Sequence, residues 1–262
     1  MRISRALTVL TIAILACAAA HARDITPHEL KTALQKNPAV LIEAIKANKK
    51  AIFEIINQTG LEEQARVQKE AEEAEKKAYE NSFKNPLRPA IDEKTRIRGE
   101  KDARYTLVEY ADFECPYCAG GYQIVQELRK RHGSDLRFIF KHLPLPFHPQ
   151  SMLAAQWLEA VAIQSPESAW KFHDILFENQ DKLGLDFFKK TARDLGIDVE
   201  RSEKDAESQS VKDRIAADIE EASKLGFNGT PGFLLNGVPV KGAYPVEYFG
   251  GIINKLDVTK AN

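Results

Sequence analysis

The chain has 262 residues, of which 44% are hydrophobic and 29% are charged. Its 37 basic and 38 acidic side chains nearly cancel, so it lacks the basic excess typical of nucleic-acid-binding proteins, and no nucleic-acid partner is expected. This composition excludes a collagen-like chain, a wholly disordered chain and a disulfide-dense miniprotein, and the length allows one or two domains.

Residues 1–22 have the features of a secretory signal peptide. Arg2 and Arg5 precede an apolar run that is shorter than a membrane-spanning helix, and Ala20-His21-Ala22 is an A-x-A cleavage pattern. We therefore predict export to the periplasm, with cleavage after Ala22. An uncleaved anchor is one alternative and lipidation of Cys17 is another, and either would associate the protein with the cell envelope.

Residues 23–90 are predicted to form a helical segment that ends in a linker. Thr26-Pro27-His28-Glu29 is a capping box with proline at the first helical position, and Asn37-Pro38 repeats the start signal. Apolar side chains recur at helical spacing between residues 40 and 56, whereas residues 61–80 are highly charged and indicate a solvated helix or a linker. A segment this short is too small to form a hydrophobic core by itself. Its apolar stripe therefore either packs onto the second domain or pairs with the same stripe of another copy.

Residues 91–262 carry the strand and helix signals of an α/β domain. Residues 103–111 and 136–141 are rich in β-branched and aromatic side chains, which favours strands. Between them, Cys115-Pro116-Tyr117-Cys118 opens a helical stretch that ends near His132-Gly133. The sequence thus predicts a βαβ unit with a C-x-x-C motif at its strand-to-helix junction, the context of thioredoxin-like redox chemistry.

The region from about residue 149 to 226 is predicted to be a helical insertion. We expect four helices there, with Trp157 and Trp170 in their core. Asn236-Gly237 then separates two short apolar runs, which is a strong hairpin signal. A closing helix is expected from Tyr244 to Leu256.

The spacing of the two cysteines that survive cleavage, Cys115 and Cys118, points to redox chemistry. In an oxidising compartment such a pair either cross-links the fold or exchanges disulfides. A two-residue gap closes a very small loop, which gives little chain-entropy stabilisation, so a structural role explains it poorly. At a helix N-terminus, unpaired N–H groups stabilise the thiolate. We expect Cys115 to be exposed and nucleophilic, and Cys118 to be covered and to resolve the mixed disulfide.

Two motifs resemble the DsbA-like branch of the thioredoxin superfamily. They are Phe113-Glu114-Cys115-Pro116-Tyr117-Cys118 and, far downstream, Gly229-Thr230-Pro231-Gly232-Phe233. The resemblance covers about residues 100–256. It implies an α/β thioredoxin fold with a helical insertion in a DsbA-like domain of residues 91–262, preceded by an all-α N-terminal segment.

The resemblance also assigns site residues. Pro231 should be cis and should pack against the active-site sulfurs, and Thr230 should offer backbone hydrogen bonds to an extended substrate. Glu109, six places before Cys115, should assist proton transfer to and from Cys118. The alternative for Glu109 is a half-exposed strand carboxylate.

The implied function is that of an exported thiol–disulfide oxidoreductase that forms or isomerises disulfides through Cys115 and Cys118, without a further cofactor. Its expected partners are cysteine-containing exported proteins and a membrane redox partner, either a DsbB-like oxidant or a DsbD-like reductant. The Pro-Tyr dipeptide differs from the Pro-His of DsbA, and Thr230 matches DsbC, so both directions of exchange stay open. Residues 24–90 also resemble the N-terminal helical extensions of certain oligomeric DsbA-like proteins, in which the extension joins subunits. This resemblance implies a homo-oligomer formed through residues 24–80, with 23–90 as an oligomerisation segment and linker. Dimer and trimer are both open.

Other functions are weighed against this one. A zinc site needs two further ligands, and the histidines lack H-x₃₋₅-H spacing, so no metal site is predicted. A Cu(I) ion on the two thiolates would make a copper-handling protein. An exported holdase chaperone would rely on the helical extension instead of the cysteines. His142 and His148, which follow the second strand, are expected to be ordinary surface-loop residues.

Overall fold

The computed structural model describes residues 25–92 and 95–261. The predicted signal peptide, residues 1–22, and Cys17 lie outside the described residues. Contacts divide the chain into two units, with the boundary between Ala71 and Glu72. Among the described helices, none is both long enough and apolar enough to cross a membrane.

The first part of the described chain is helical, as predicted. It contains α1 (Pro27–Lys36), α2 (Pro38–Ala47) and α3 (Lys49–Ser82). The capping box forms at Thr26, whose hydroxyl accepts the Glu29 N–H at 3.3 Å while the Glu29 carboxylate accepts the Thr26 N–H at 3.0 Å. The charged stretch 61–80 is part of α3, because this helix runs without a break past Gly60. None of the described side chains in residues 25–71 is buried.

The second unit contains a five-stranded mixed sheet. The strands are β1 (Arg96–Arg98), β2 (Tyr105–Ala111), β3 (Leu136–His142), β4 (Gly232–Leu235) and β5 (Val238–Lys241). Their order is β1-β3-β2-β4-β5, in which β2 and β3 are parallel and the other neighbours are antiparallel. Helix α4 (Pro116–His132) connects β2 to β3, which confirms the predicted βαβ unit.

Five helices form the insertion between β3 and β4, one more than predicted. They are α5 (Ser151–Gln164), α6 (Pro166–Glu178), α7 (Leu185–Asp194), α8 (Val199–Ala206) and α9 (Gln209–Lys224); α10 (Val246–Ala261) closes the chain. Two short 3₁₀ turns, Gly133–Asp135 and Gln180–Lys182, follow α4 and α6.

The sheet is buried on both faces because its side chains alternate between two apolar clusters. One cluster packs the sheet against α4, the insertion and α10, and it includes Leu107, Phe138, Phe140, Phe233 and Trp157. The other packs it against α9, and it includes Val108, Tyr110, Ile139, Leu234 and Phe227. Trp157 is thus a core residue, as predicted. Trp170 is only partly buried, since it lies at the edge of the core with the Arg98 guanidinium 4.4 Å above its ring.

The segment that follows α3 is fastened to the β4–β5 hairpin. Asn236 and Gly237 both have positive φ, +48° and +84°, as a tight hairpin turn requires. The Leu87 N–H donates to the Gly237 carbonyl at 2.9 Å, and a Cβ at position 237 would overlap the Leu87 backbone. The Ala90 N–H donates to the Glu221 carboxylate at 2.6 Å. The end of the predicted linker, residues 87–90, is therefore an ordered segment that is hydrogen-bonded to the β4–β5 turn and to α9.

Candidate active site

The two cysteines lie at the start of α4, directly after β2. Cys115 is the N-cap residue and has an extended conformation. Pro116 is the first helical residue, and proline suits this position because an N–H there would have no acceptor within the helix. Cys115 and Cys118 are not joined by a disulfide bond in this structure. When it is protonated, the Cys115 thiol donates to the Thr230 carbonyl at 3.7 Å.

The expected exposure of Cys115 is wrong in this structure. Its exposed fraction is 4%, and that of Cys118 is 0%. Cys115 is covered because its sulfur lies against the Thr230 carbonyl instead of pointing to solvent. Cys118 is buried in the cluster below the sheet face, as predicted.

The environment shifts the pKa values of the two thiols in opposite directions. A hydrogen bond from the Cys118 thiol, the Thr230 side chain, and the N–H groups of Cys118 and Tyr117 together lower the pKa of Cys115 to about 5, although burial opposes them. Burial raises the pKa of Cys118 well above its ordinary range, and the hydrogen bond to Cys115 and the Glu109 charge raise it further. At neutral pH, Cys115 is therefore a thiolate and Cys118 a thiol.

Glu109 is a buried carboxyl group beneath the first turns of α4. It lies on β2 with 1% exposure, so the half-exposed alternative is wrong. Neither of its carboxyl oxygens has a hydrogen-bond partner, and burial raises its pKa to about 8. A Cβ on Gly121 would lie 2.9 Å from Glu109 Oε1 and 3.3 Å from Pro231, which shows how closely these groups approach the helix.

The Thr230–Pro231 peptide bond is cis, as the resemblance implies. Pro231 directly precedes β4, and its carbonyl accepts the Gly242 N–H at 2.9 Å. The structure thus brings Cys115, Cys118, Glu109 and the Thr230–Pro231 segment together at one end of β2 and β4. Their catalytic roles stay predictions.

Two residues that hold the active-site turn were not predicted. Gln180, in the 3₁₀ turn after α6, donates from Nε2 to the carbonyls of Phe113 and Cys115, each at 2.8 Å. The buried Asp112 carboxylate accepts the N–H groups of Glu114 and Leu145 at 2.8 and 2.9 Å. Nothing local in the sequence marks Gln180, because its partners lie more than sixty residues away.

The two histidines expected on the surface are not ordinary surface-loop residues. His148 Nδ1 lies 2.7 Å from Asp112 Oδ2, and its side chain is only 17% exposed. His142 is the last residue of β3 and is 1% exposed. Its Nε2 lies 2.8 Å from Glu159, which also binds the Arg96 guanidinium, and burial lowers the His142 pKa.

Among residues 25–92 and 95–261, no group of three or more His, Cys, Asp and Glu side chains is arranged to hold a metal ion. What the site does offer is a nucleophilic sulfur, a second thiol in contact with it and a carboxyl group with a pKa near neutrality. A nucleophilic thiolate and a second thiol beside it are the groups that thiol–disulfide exchange uses.

Comparison with known proteins gives one matching family and partial relatives. The family model described as thioredoxin matches residues 91–255. The chain is 40% identical over 159 residues to the Na(+)/H(+) antiporter NhaA of Herminiimonas arsenicoxydans, and 35% identical over 161 residues to NhaA 1 of Mycolicibacterium vanbaalenii. The match covers 61% and 60% of this chain but only 24% and 26% of those proteins, so it spans about a quarter of their length.

Several solved structures are similar to this chain. A thioredoxin-like oxidoreductase from Silicibacter pomeroyi is 27% identical, with a TM-score of 0.55, over 63% of this chain and 92% of that one. BdbD from Bacillus subtilis is 24% identical with a TM-score of 0.59, over 65% and 96%. The catalytic domain of Proteus mirabilis ScsC is 22% identical with a TM-score of 0.55, over 69% and 97%. These similarities support the thioredoxin fold with its helical insertion.

Proposed function

The chain belongs to the thioredoxin family, and on that premise we propose that it is an exported thiol–disulfide oxidoreductase that forms or isomerises disulfide bonds in other exported proteins. The observation that carries the proposal is the opposite shift of the two thiols. Cys115 has a pKa of about 5 and is ready to attack, whereas the pKa of Cys118 is raised. The Silicibacter pomeroyi neighbour, called a thioredoxin-like oxidoreductase, agrees with this function.

The proposed exchange begins at Cys115. Its thiolate attacks one sulfur of a substrate disulfide, a bond forms between them, and the other substrate sulfur leaves as a thiolate. Cys118 then loses its proton to ionised Glu109 and attacks Cys115 Sγ, which releases the reduced substrate and leaves a Cys115–Cys118 disulfide. The reverse sequence transfers the disulfide to a dithiol substrate. A pKa of about 8 makes both forms of Glu109 available near neutral pH.

The substrates and partners of this proposal follow from export. If residues 1–22 direct the chain to the periplasm, its substrates are cysteine-containing exported proteins. A membrane partner must then reset the cysteine pair, a DsbB-like oxidant for disulfide formation or a DsbD-like reductant for isomerisation. Thr230 and Pro231 would contact the substrate backbone beside Cys115, from which the Thr230 carbonyl is 3.7 Å away.

The N-terminal helices are proposed to join copies of the chain. Large apolar side chains in residues 25–71 stay exposed, among them Leu41 at 46%, Ile45 at 44% and Ile56 at 62%. A second copy of the same stripe would bury them in an isologous interface. Sedimentation of the mature chain tests this, because Leu41→Lys combined with Ile45→Lys should give a monomer. A wild-type monomer contradicts the proposal.

The experiment that tests the function is recovery of scrambled, wrongly bridged ribonuclease by residues 23–262 in a glutathione buffer. Recovery supports disulfide isomerisation. Oxidation of reduced ribonuclease without recovery of the scrambled form supports an oxidase. Cys115→Ser should abolish either activity. If Cys115→Ser and the wild type suppress aggregation equally and neither exchanges disulfides, the protein is a holdase and the proposal is wrong.

A further inference from the structure

An aromatic side chain stands exposed on the loop that follows β3. Phe147 is 73% exposed, although the second unit buries most of its large apolar side chains. Single exposed apolar residues are common and need no explanation by themselves. Phe147 differs from the other exposed apolar residues in two ways: its loop is hydrogen-bonded to the active-site turn, and the loop is rich in proline.

The loop, residues 143–150, is bound to the active-site turn. The carboxylate of Asp112 accepts the Leu145 N–H at 2.9 Å, and the carboxylate of Glu114 accepts the Gln150 N–H at 2.6 Å. The Asp112 carbonyl in turn accepts the Cys115 N–H at 3.2 Å. Two residues from the turn that bears the nucleophile therefore fix both halves of the loop.

The loop is also stiff. Proline occupies three of its eight positions, 144, 146 and 149, and each proline fixes its own φ and restricts the residue before it. The His148 ring is held 2.7 Å from Asp112, and the Phe147 ring packs edge-on against it with centroids 4.6 Å apart. An aromatic ring on a preorganised backbone loses little conformational entropy when it binds a partner.

We propose that Phe147 is a specificity-determining residue that binds an apolar side chain of the substrate polypeptide next to its reacting cysteine. This inference rests on the proposed disulfide exchange, because the occupant is the polypeptide whose sulfur bonds to Cys115. Asp112 and His148 act as positioning residues that hold the ring at the edge of the site. Substrates with an apolar residue beside the cysteine are therefore preferred over those with a small polar one.

The test uses two dithiol peptides that differ only in one residue beside a cysteine, leucine or serine. The pre-oxidised protein, residues 23–262, reacts with each peptide; both peptide thiols become a disulfide and the Cys115–Cys118 disulfide is reduced. We expect the wild type to oxidise the leucine peptide about tenfold faster, a typical gain from one apolar contact. Phe147→Ala should bring the ratio of the two rate constants close to one, and Phe147→Leu should retain most of the preference.

Ile163→Ala is the matched control, because Ile163 is 49% exposed at the far end of α5 and is unconnected to the loop by any described hydrogen bond. It should leave the ratio unchanged. The inference is overturned if Phe147→Ala keeps the wild-type ratio, or if it slows both peptides and dithiothreitol equally, since that is a general effect on the disulfide. A wild type that oxidises dithiothreitol but shows no peptide preference overturns the inference alone. A wild type that oxidises no thiol at all overturns the proposed function with it.

Discussion

Replacing Glu109 by Gln should stabilise the reduced protein, and the gain should grow with pH. Glu109 is 1% exposed and neither carboxyl oxygen has a hydrogen-bond partner. Burial of this kind disfavours the charged form and raises the pKa to about 8, from an ordinary value of 4.5. The folded protein therefore keeps this carboxyl group protonated at pH values at which the unfolded chain has already released the proton. Gln has nearly the same shape and no proton to lose.

The sign and size follow from linkage between protonation and folding. A folded-state pKa above the unfolded value means that stability is fully present below pH 4.5 and is lost as the pH rises toward 8. Each pKa unit corresponds to about 1.4 kcal/mol. The wild type should thus lose about 1 kcal/mol at pH 5, about 3 kcal/mol at pH 7 and about 5 kcal/mol at pH 9, relative to Glu109→Gln.

Urea unfolding of the reduced protein at pH 5, 7 and 9 measures this difference. Glu207→Gln is the control, because this carboxylate is exposed at the end of α8 and its removal should change the unfolding free energy by less than about 0.5 kcal/mol at every pH. A difference between Glu109→Gln and the wild type that is the same at pH 5 and pH 9 would refute the reasoning. So would a variant that is less stable than the wild type at pH 9.

Three further predictions concern the thiol, the helix and the buried ion pair. Alkylation of Cys115 should rise with a midpoint near pH 5, and a midpoint near pH 9 would contradict the assigned thiolate. Gly121→Ala should lower the free energy of unfolding by about 1–3 kcal/mol, because its Cβ would lie 2.9 Å from a buried carboxyl oxygen. Gly120→Ala has room for its Cβ and should raise the free energy of unfolding by about 0.5–1 kcal/mol, as measured by chemical unfolding. The opposite order would count against the packing described. Glu159→Gln should cost about 3–5 kcal/mol, since it leaves Arg96 buried without its counter-ion; a loss below about 1 kcal/mol disagrees with that pairing.

Features with local causes could be predicted from the sequence. The Thr26 capping box, the Asn236-Gly237 turn and the proline after Cys115 each act through neighbours within four residues, so their residue types are sufficient. The βαβ unit follows from two apolar strands that flank one helical stripe. These elements place Cys115 and Cys118 at a helix N-terminus without knowledge of the tertiary packing, whereas Glu109, Thr230 and Pro231 are assigned by the family resemblance.

Features that depend on distant partners could not be predicted. β1 has three residues, too few to show alternation, and it is a strand because it pairs with β3. α8 has only two apolar residues in eight and is held between its neighbours in the insertion. The His142 ring can be buried because the side chains of Arg96, on β1, and Glu159, on α5, both lie within hydrogen-bond distance of its Nε2.

In the exchange proposed above, the opposite shifts of the two thiols would also set the order of the steps. Part of the raised pKa of Cys118 comes from the hydrogen bond and charge of Cys115 itself. When Cys115 forms a mixed disulfide its charge is gone and it no longer accepts that hydrogen bond, so both contributions to the Cys118 pKa disappear. Cys118 therefore becomes easier to deprotonate only after substrate is bound, beside Glu109, whose pKa of about 8 suits it to take that proton. Under the proposed function, the stability lost at Glu109 is the consequence of placing a proton acceptor next to a sulfur that stays protonated until Cys115 has reacted.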